Sequence, residues 1–465
     1  MKTWNQLFVR SGWVLVEKEK DVFACKNEIE VNLQFLFQSL DKANIRYHFN
    51  KGVLTILSPI ISEDQWLETV DYDYRGRGEG LWFDSSKEQP KIHELDLFIS
   101  GIVRQVNRLG YETLGSCDGH GRRAAHVMIS KEKKIEELVE LLLAFGCKSV
   151  NWREHRNSYH LSLHLKQHEL LDLAENMSLV EESWLEQGYE FIKQQRFYHL
   201  LEQLLNIPGV SGNEERVRKF VIEKLTPYVD HVTVDRAGNV LAEKTYRGGH
   251  GPVILCNAHL DTVYEIESGR KIVKNGNTWS SNKGILGADD RAGIAVLLHT
   301  AEYLSHHSSF SGKVKFIFTV EEECGLVGAR EVDEYFLWGT DAAIVVDRRG
   351  TGDIVSSCGG CIPFCHPRYG AFFEEVAGTE GLNGWGTTKG GSSDTRVWAE
   401  HGIQSVNLSA GYRNEHTDEE ILDVEACYGT AQLLEGVLRN DKKLRAVLRG
   451  IKREKQVDNI FKTAL

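Results

Sequence analysis

Residues 253–263 constrain this chain more than any other stretch, because an apolar segment ends abruptly in two polar residues. The stretch reads Val-Ile-Leu-Cys-Asn-Ala-His-Leu-Asp-Thr-Val, so His259 and Asp261 stand two positions apart. Alternate residues of an extended backbone point to the same side, and we therefore expect both side chains on one face. An imidazole with a carboxylate beside it suits a metal site, because the carboxylate orients the ring. An isolated His-x-Asp also occurs at ordinary strand ends that meet water, so the rest of the sequence has to decide.

Strand-like and helix-like segments alternate downstream of this stretch. Apolar runs predict strands at 253–257, 313–320, 342–346 and 403–409, and helical spacing predicts helices at 290–305 and 425–439. Such alternation predicts an α/β fold with a mainly parallel, mixed sheet flanked by helices. In such a sheet, functional groups gather at the carboxyl ends of the strands.

Metal-binding residue types follow several of the predicted strands. They are His259 and Asp261, Glu322 and Glu323, Asp347 and His416, with Asp289 immediately before a helix. Two histidines and several carboxylates are the ligands expected of two divalent ions, most often Zn²⁺, with Mn²⁺ or Co²⁺ suited to the same geometry. A metal pair about 3.5–4 Å apart supports hydrolysis of an amide bond. The residues therefore predict a two-metal hydrolase.

Five motifs and the late His416 resemble, in their order, the co-catalytic di-zinc exopeptidases, a group that includes tripeptidase T, glutamyl aminopeptidases and carboxypeptidase G. The motifs are Ile207-Pro-Gly-Val-Ser-Gly-Asn-Glu-Glu, Asp235-Arg-Ala-Gly-Asn-Val, Ala258-His-Leu-Asp-Thr-Val, Gly287-Ala-Asp-Asp-Arg-Ala-Gly and Thr319-Val-Glu-Glu-Glu-Cys-Gly-Leu-Val-Gly-Ala. The resemblance covers about residues 197–440 and implies an aminopeptidase-like metallohydrolase domain.

The resemblance also implies a role for each candidate residue. It assigns five ligands to two ions that share Asp289: His259, Asp289 and Asp347 to one ion, and Asp289, Glu323 and His416 to the other. Glu322 would be the general base, passing a proton from the attacking water to the leaving amine. Asp261 would orient His259 rather than bind a metal. The choice of Glu322 and Glu323 within an acidic triple rests on the Glu-Glu-x-Gly pattern completed by Gly325.

Many members of that group carry an inserted lid or dimerisation domain, which the spacings of this chain do not accommodate. Only 30 residues separate His259 from Asp289, and 69 separate Asp347 from His416. We therefore expect a lidless di-metal domain over residues 191–465. We expect residues 1–190 to supply the cover or the substrate selection that a lid gives elsewhere.

Residues 1–190 predict a separate α+β domain that ends in a helical connector. Its most distinctive loop is Ser116-Cys-Asp-Gly-His-Gly, which presents Cys117, Asp118 and His120. With His93 and Asp96 this loop could form a metal or ligand pocket. The simpler alternative is a tight glycine turn capped by polar side chains.

Two further loops of the second half are open to two interpretations. Cys358, Cys361, Cys365 and His366 stand at a spacing that could hold a structural zinc, or are small residues at the mouth of the site. The loop at 390–396, with Ser392, Ser393, Asp394 and Arg396, either shapes the pocket or only turns the chain.

Composition narrows the location and the partners. The chain has a net charge of -12, which argues against a general nucleic-acid partner, because phosphate binding needs a basic surface. Nine cysteines, an odd number, and an N-terminus without a secretory signal favour reduced thiols and a cytoplasmic location. No membrane span is expected, because no run of eighteen apolar residues occurs. The oligomeric state is left open.

Three functions remain on the sequence alone. The first is a two-metal aminopeptidase acting on peptides. The second is a deacylase or amidohydrolase acting on acylated amino acids or modified protein ends, which would use the same metals. The third is a recognition module that uses the metal domain as a scaffold, although a scaffold has no need of Glu322.

Overall fold

The computed structural model describes residues 2–70, 89–147, 149–306 and 309–463, with side chains up to residue 456. The chain divides into two compact units, Met1–Lys193 and Gln194–Leu465. We call them the N-terminal unit and the C-terminal unit, and the boundary lies within helix α8 (Gly188–Leu205).

The N-terminal unit contains two antiparallel sheets of four strands each, in the orders β1-β2-β4-β3 and β5-β6-β8-β7. Its elements are α1 (Trp4–Arg10), β1 (Val16–Glu19), β2 (Val22–Ala24), α2 (Glu30–Lys42), β3 (Tyr47–Asn50), β4 (Val53–Ile56), α3 (Glu63–Thr69), α4 (Ser100–Arg108), β5 (Thr113–Cys117), β6 (Ala125–Ser130), α5 (Ile135–Ala144), β7 (Val150–Glu154), β8 (Ser158–Leu163), α6 (Gln167–Met177) and α7 (Glu182–Leu185). This arrangement is the α+β class that the sequence predicts for this region.

The C-terminal unit is built on one large mixed sheet and one small antiparallel sheet. Its elements after α8 are α9 (Glu215–Leu225), β9 (His231–Val234), β10 (Val240–Tyr246), β11 (Val253–His259), β12 (Ile272–Asn275), β13 (Thr278–Ser281), α10 (Ala288–His306), β14 (Gly312–Thr319), α11 (Val327–Arg330), α12 (Glu334–Leu337), β15 (Ala342–Arg348), β16 (Asp353–Cys358), β17 (Ile362–Pro363), α13 (Pro367–Thr379), β18 (Gly386–Gly390), α14 (Asp394–Glu400), β19 (Gln404–Ser409), β20 (Tyr412–Arg413), β21 (Ile421–Asp423), α15 (Val424–Arg439) and α16 (Asp441–Thr463).

The large sheet has the order β17-β16-β19-β15-β11-β14-β10-β9, with β18 paired to β16. Its four central strands, β19, β15, β11 and β14, run parallel, whereas β10 and β9 continue it antiparallel on one side and β16 does so on the other. The predicted α/β class with a mixed sheet is confirmed. More strands at the edges of the sheet are antiparallel than the sequence predicts.

The central strands are buried on both faces, which explains their continuous apolar runs. Along β11, Ile254, Cys256 and Ala258 pack into one core cluster, and Leu255 between them packs into a second. The first cluster also takes in buried residues of α10 and α15. Because both faces of the sheet are covered, polar side chains can gather only at the ends of the strands.

Two intervals that could hold an inserted domain are taken up by strands and helices of this unit. Between His259 and Asp289 lie β12 and β13, which pair with β21 in the small sheet. Between Asp347 and His416 lie β16, β18 and β19, which belong to the large sheet. No helix of the described residues is long and apolar enough to cross a membrane.

Candidate metal centre of the C-terminal unit

Parallel pairing brings the predicted residues to one edge of the large sheet. His259 ends β11, and Thr319, its partner in register, ends β14 just before Glu322 and Glu323. Asp347 lies near the end of β15, the other neighbour of β11. The carboxyl ends of neighbouring parallel strands meet at the same edge, as the alternation pattern predicts.

Asp289 lies between the two histidines. Its Oδ1 is 3.0 Å from His259 Nε2, and its Oδ2 is 3.2 Å from His416 Nε2. The peptide bond between Asp289 and Asp290 is cis. A carboxylate whose two oxygens face two different imidazoles has the geometry of a ligand shared by two ions.

Each histidine has a second carboxylate close to it. His259 Nε2 is 3.6 Å from Asp347 Oδ1, and His416 Nε2 is 2.7 Å from Glu323 Oε1. Donor atoms of His259, Asp289 and Glu323 also lie within 4.8 Å of one another. The structure therefore brings together all five residues that the sequence singled out as ligands.

Asp261 connects the first histidine to the acidic turn. Its Oδ1 is 3.1 Å from His259 Nδ1 and accepts from the backbone N–H of Glu322 at 3.0 Å. Its Oδ2 accepts from the backbone N–H of Glu323 at 3.1 Å and from Ser211 Oγ at 2.7 Å. Because Nδ1 faces Asp261, Nε2 is the nitrogen left to face Asp289. Asp261 thus joins the ring of His259 to the turn that carries Glu322.

Ser211 and Glu214 stand at capping-box spacing in the sequence, but they do not form one. Helix α9 begins at Glu215, and its N-cap residue Glu214 makes no side-chain capping bond. Instead Ser211 donates to Asp261, and Glu214 Oε1 accepts from the backbone N–H of Gly212 at 2.8 Å. The hydroxyl of Ser211, which a capping box would have used, is thus hydrogen-bonded to Asp261, a residue that is distant in sequence.

Three supporting side chains were not found by sequence reasoning. The carboxylate of Glu420 accepts from the backbone N–H groups of Gly287, Ala288 and Asp289 at 2.7, 2.7 and 3.1 Å. Asp290 accepts from the backbone N–H groups of His259 and Gly293 at 3.3 and 2.9 Å. Tyr412 Oη donates to Asp347 Oδ1 at 3.0 Å. Asp290 stands in a quoted motif, but only these contacts reveal that it supports the backbone.

The electrostatics of the cluster fit divalent cations. Burial, and then the charge of Asp347, raise the pKa of Glu322 to about 10. Burial likewise raises the pKa of Glu323 to about 7, and it raises the pKa of Asp347. Desolvated carboxylates that crowd one another resist ionisation, and a divalent cation among them reverses that resistance. Two imidazoles and three carboxylates are also the donor types that zinc, manganese and cobalt accept.

The carboxylates around the two histidines also change the pKa values of their imidazole rings. Burial lowers the pKa of His259, but hydrogen bonds with Asp261 and Asp289 outweigh it and hold that pKa well above its usual value. The hydrogen bond with Asp289 is the main cause that raises the pKa of His416 to about 9. Metal binding requires neutral imidazole, so a bound cation takes the place of these protons.

The 390–396 loop mostly organises helix α14. Ser393 Oγ accepts from the backbone N–H of Thr395 at 3.4 Å, and Arg396 pairs with Glu400 at 2.9 Å. Asp394 is buried and accepts from Thr319 Oγ1 at 2.5 Å. Burial, with Asp347 adding to it, raises the pKa of Asp394 to about 6. Of this loop, Asp394 is the residue that contributes charge near the cluster.

The cysteine-rich segment gives no ligand group. Within the residues that the structure describes, no three donor atoms of Cys358, Cys361, Cys365 and His366 gather as a metal site would require. Cys358, Cys361 and Cys365 are free thiols. His366 instead accepts from the backbone N–H of Arg368 at the start of α13.

A mixed sheet with covered faces, and two histidines facing one carboxylate at its carboxyl edge, define an α/β metallohydrolase domain. Residues 239–432 match the model described as Peptidase family M28. This match, and relatives named as peptidases, confirm the resemblance of the C-terminal unit to the co-catalytic di-zinc exopeptidases. Divalent metal ions are implied by this family.

Named relatives match parts of this chain. Peptidase T of Geobacillus kaustophilus is 31% identical over 182 residues, 32% of this chain and 44% of that protein. The cytosol non-specific dipeptidase of Escherichia coli is 28% identical over 182 residues, 37% of this chain and 36% of that protein. The aminopeptidase PepT of Bacillus cereus has a similar structure, with a TM-score of 0.48 and 19% identity over 53% of this chain and 98% of that chain. The chain spans less than half of the length of the two curated relatives.

Proposed function

We propose that this protein is a two-metal aminopeptidase that removes residues from the amino end of peptides. The observation that carries the proposal is the position of Asp289, whose two oxygens face His259 Nε2 and His416 Nε2 at 3.0 and 3.2 Å. A family match to peptidases and relatives named as peptidases support the substrate class.

The proposed ligand sets follow the distances between side chains. His259, Asp289 and Asp347 would hold one ion, and Asp289, Glu323 and His416 the other. Zn²⁺ is the proposed metal, with Mn²⁺ or Co²⁺ able to use the same donors. When bound, such a pair polarises the carbonyl of the peptide bond and activates the water that attacks it.

Glu322 is the proposed general base. It lies beside the cluster, where burial and the charges of Asp347 and Asp289 raise its pKa. Its backbone N–H donates to Asp261. In this role its carboxylate takes the proton of the attacking water and passes it to the leaving amine. Asp261 positions both His259 and this turn, and it does not need to touch the substrate.

Metal analysis of the purified protein, together with a panel of free and N-blocked peptides, tests the proposal. We expect two divalent ions bound by the C-terminal unit and hydrolysis of free peptides. Glu322→Gln should keep both ions and lower the rate by roughly 100- to 10,000-fold, because only the base is lost. A wild-type protein without metal and without hydrolysis would overturn the proposal.

The same panel separates the alternatives. Cleavage of N-blocked substrates in preference to free peptides would point to a deacylase that uses the same metals. A biological effect that survives Glu322→Gln would point to a recognition module with a metal scaffold. A cytoplasmic location is also proposed, and the exposed free thiols of Cys324 and Cys361 support it.

A further inference from the structure

A second group of metal-binding side chains lies in the N-terminal unit. Asp96 precedes helix α4, Cys117 ends strand β5, and Asp118 and His120 lie in the loop between β5 and β6. One donor atom from each of these four residues lies within 4.8 Å of the others. His93, which the sequence reading considered with them, is not part of this group.

The distances single out three side chains that face one point. His120 Nε2 is 3.5 Å from Cys117 Sγ and 4.0 Å from Asp96 Oδ2. Ligand atoms around one tetrahedral zinc are about 3.3–3.8 Å apart, given metal–ligand bonds of about 2.0–2.3 Å. The group therefore needs only a small contraction to enclose an ion.

Asp118 holds the ring of His120 in this orientation. Its Oδ1 lies 2.9 Å from His120 Nδ1, and it also accepts from the backbone N–H of His120 at 2.8 Å. The ring nitrogen that faces Cys117 and Asp96 is the other one, Nε2. A carboxylate on the far ring nitrogen is the usual partner of a metal-binding histidine. Asp261 has the same relation to His259 in the C-terminal unit.

Asp96 gives an independent indication that a cation is needed here. Its side chain is only 1% exposed, and Oδ1 accepts no hydrogen bond from any described residue. Among the described residues, no lysine or arginine forms an ion pair with Asp96. The side chain that pairs with it is that of His120. A buried carboxylate without a cationic partner is costly, and such groups are normally paired or bound to a metal.

We propose that Asp96, Cys117 and His120 bind one zinc ion in the N-terminal unit, with Asp118 as the positioning residue of His120. The donor set favours zinc, because a thiolate with an imidazole selects it over magnesium or calcium, which prefer oxygen. Three protein ligands leave one position open, and His120, at 38% side-chain exposure, lies at the solvent side. The ion would fasten the β5–β6 loop to the residue that precedes α4.

Titration of the metal-free full-length protein with Co²⁺ tests this site apart from the peptidase site. Thiolate bound to Co²⁺ gives a charge-transfer band in the near ultraviolet, and the ligands proposed in the C-terminal unit include no cysteine. We expect the amplitude of the band at saturation to correspond to one thiolate-bound cobalt per chain, and we expect Zn²⁺ to bleach the band. Cys117→Ser and His120→Ala should abolish it and lower the zinc content by one ion per chain. Asp118→Asn should weaken cobalt binding by roughly 10- to 100-fold.

Two matched controls make the result specific. Cys324→Ser removes the exposed thiol that follows Glu323, and His126→Ala removes a histidine that pairs in register with Cys117. Both should keep the band. No band in the wild type, a band that persists in Cys117→Ser, or one that disappears in Cys324→Ser would overturn the proposal. Peptide hydrolysis is not part of the readout, so the peptidase proposal can fail without affecting this one.

Discussion

At the scale of single residues, His259 and Asp261 differ in the groups that they contact. The sequence shows two polar residues at a strand end. In the structure, Nε2 of His259 faces Asp289 and Asp347, and Asp261 lies at the other ring nitrogen, Nδ1. Both oxygens of Asp261 accept two hydrogen bonds each, from His259 and Glu322 and from Ser211 and Glu323. These four contacts support the proposal that Asp261 positions its neighbours rather than binding a metal.

This difference predicts two distinct losses of metal. His259→Ala should remove the binding of one ion, because it deletes a ligand. Asp261→Asn should weaken metal binding by roughly 10- to 100-fold, because an amide N–H₂ would face one of the donors that now meet a carboxylate oxygen. Titration of the metal-free variants with Zn²⁺ measures both. Wild-type affinity in Asp261→Asn would contradict the orienting role.

At the scale of elements, the start of helix α10 depends on a residue far along the chain. Glu420 is buried, and its two oxygens accept the backbone N–H groups of Gly287, Ala288 and Asp289. These three bonds hold the start of α10, where the backbone of Asp289 is not helical. The sequence shows three consecutive acidic residues, Asp418, Glu419 and Glu420, but it does not show which backbone groups Glu420 meets.

Glu420→Gln should therefore destabilise the C-terminal unit and weaken its metal binding. An amide can accept through only one of the two oxygen positions, so at least one buried backbone N–H loses its partner. We expect a loss of about 1–3 kcal/mol in the free energy of unfolding, measured by denaturant titration. Glu419→Gln is the matched control, since Glu419 is exposed, and it should behave as wild type.

Helix α10 also lies close to strand β15 through one glycine. A Cβ atom at Gly293 would meet the backbone oxygen of Val346 at 2.0 Å and Asp290 Oδ2 at 2.4 Å. Backbone atoms cannot move aside as a flexible side chain can. This close approach brings the Asp289 end of α10 against the strand that carries Asp347.

Gly293→Ala should consequently destabilise the C-terminal unit by about 1–3 kcal/mol or more, because the methyl group has no room. Gly429 in α15 is the matched control, since nothing lies within 4 Å of its added Cβ. Gly429→Ala should be neutral or stabilising by up to about 1 kcal/mol through helix propensity. Thermal or denaturant unfolding of the two variants compares them directly, and equal stabilities would refute the close-approach argument.

At the scale of the whole molecule, each unit has hydrophobic core clusters of its own. Phe197, Leu201, Leu204 and Leu205 of α8 are buried in the main cluster of the C-terminal unit. The N-terminal unit has two clusters, one beneath each of its sheets. A fragment that keeps α8 complete therefore retains the core that supports the candidate metal centre.

The fragment 188–465 should fold cooperatively and bind metal, because its core and ligands lie within it. We expect its preference among peptides to differ from that of the full-length chain, since residues 1–190 are proposed to supply cover or substrate selection. Comparison of kcat/KM over one peptide panel for the two proteins measures the change. An unchanged preference in a well-folded fragment would refute that role for the N-terminal unit.

The sequence by itself determined the α/β class and the residues that gather at the sheet edge. Both are local properties: an apolar run identifies β11, helical spacing identifies α10, and parallel strands place their carboxyl ends together. The Glu-Glu-x-Gly pattern, completed by Gly325, then selected Glu322 and Glu323 from the acidic triple 321–323 as the candidates. These inferences need no knowledge of distant contacts.

Only the tertiary structure decided which atoms meet. It showed that Asp289 faces both histidines, that Glu420 supports the backbone of Asp289, and that Ser211 donates to Asp261 instead of capping α9. It also placed Asp96 against the Cys117 loop. The physical reason is common to all four: each contact joins groups that are far apart in sequence, and no local pattern specifies the distance or direction between such groups.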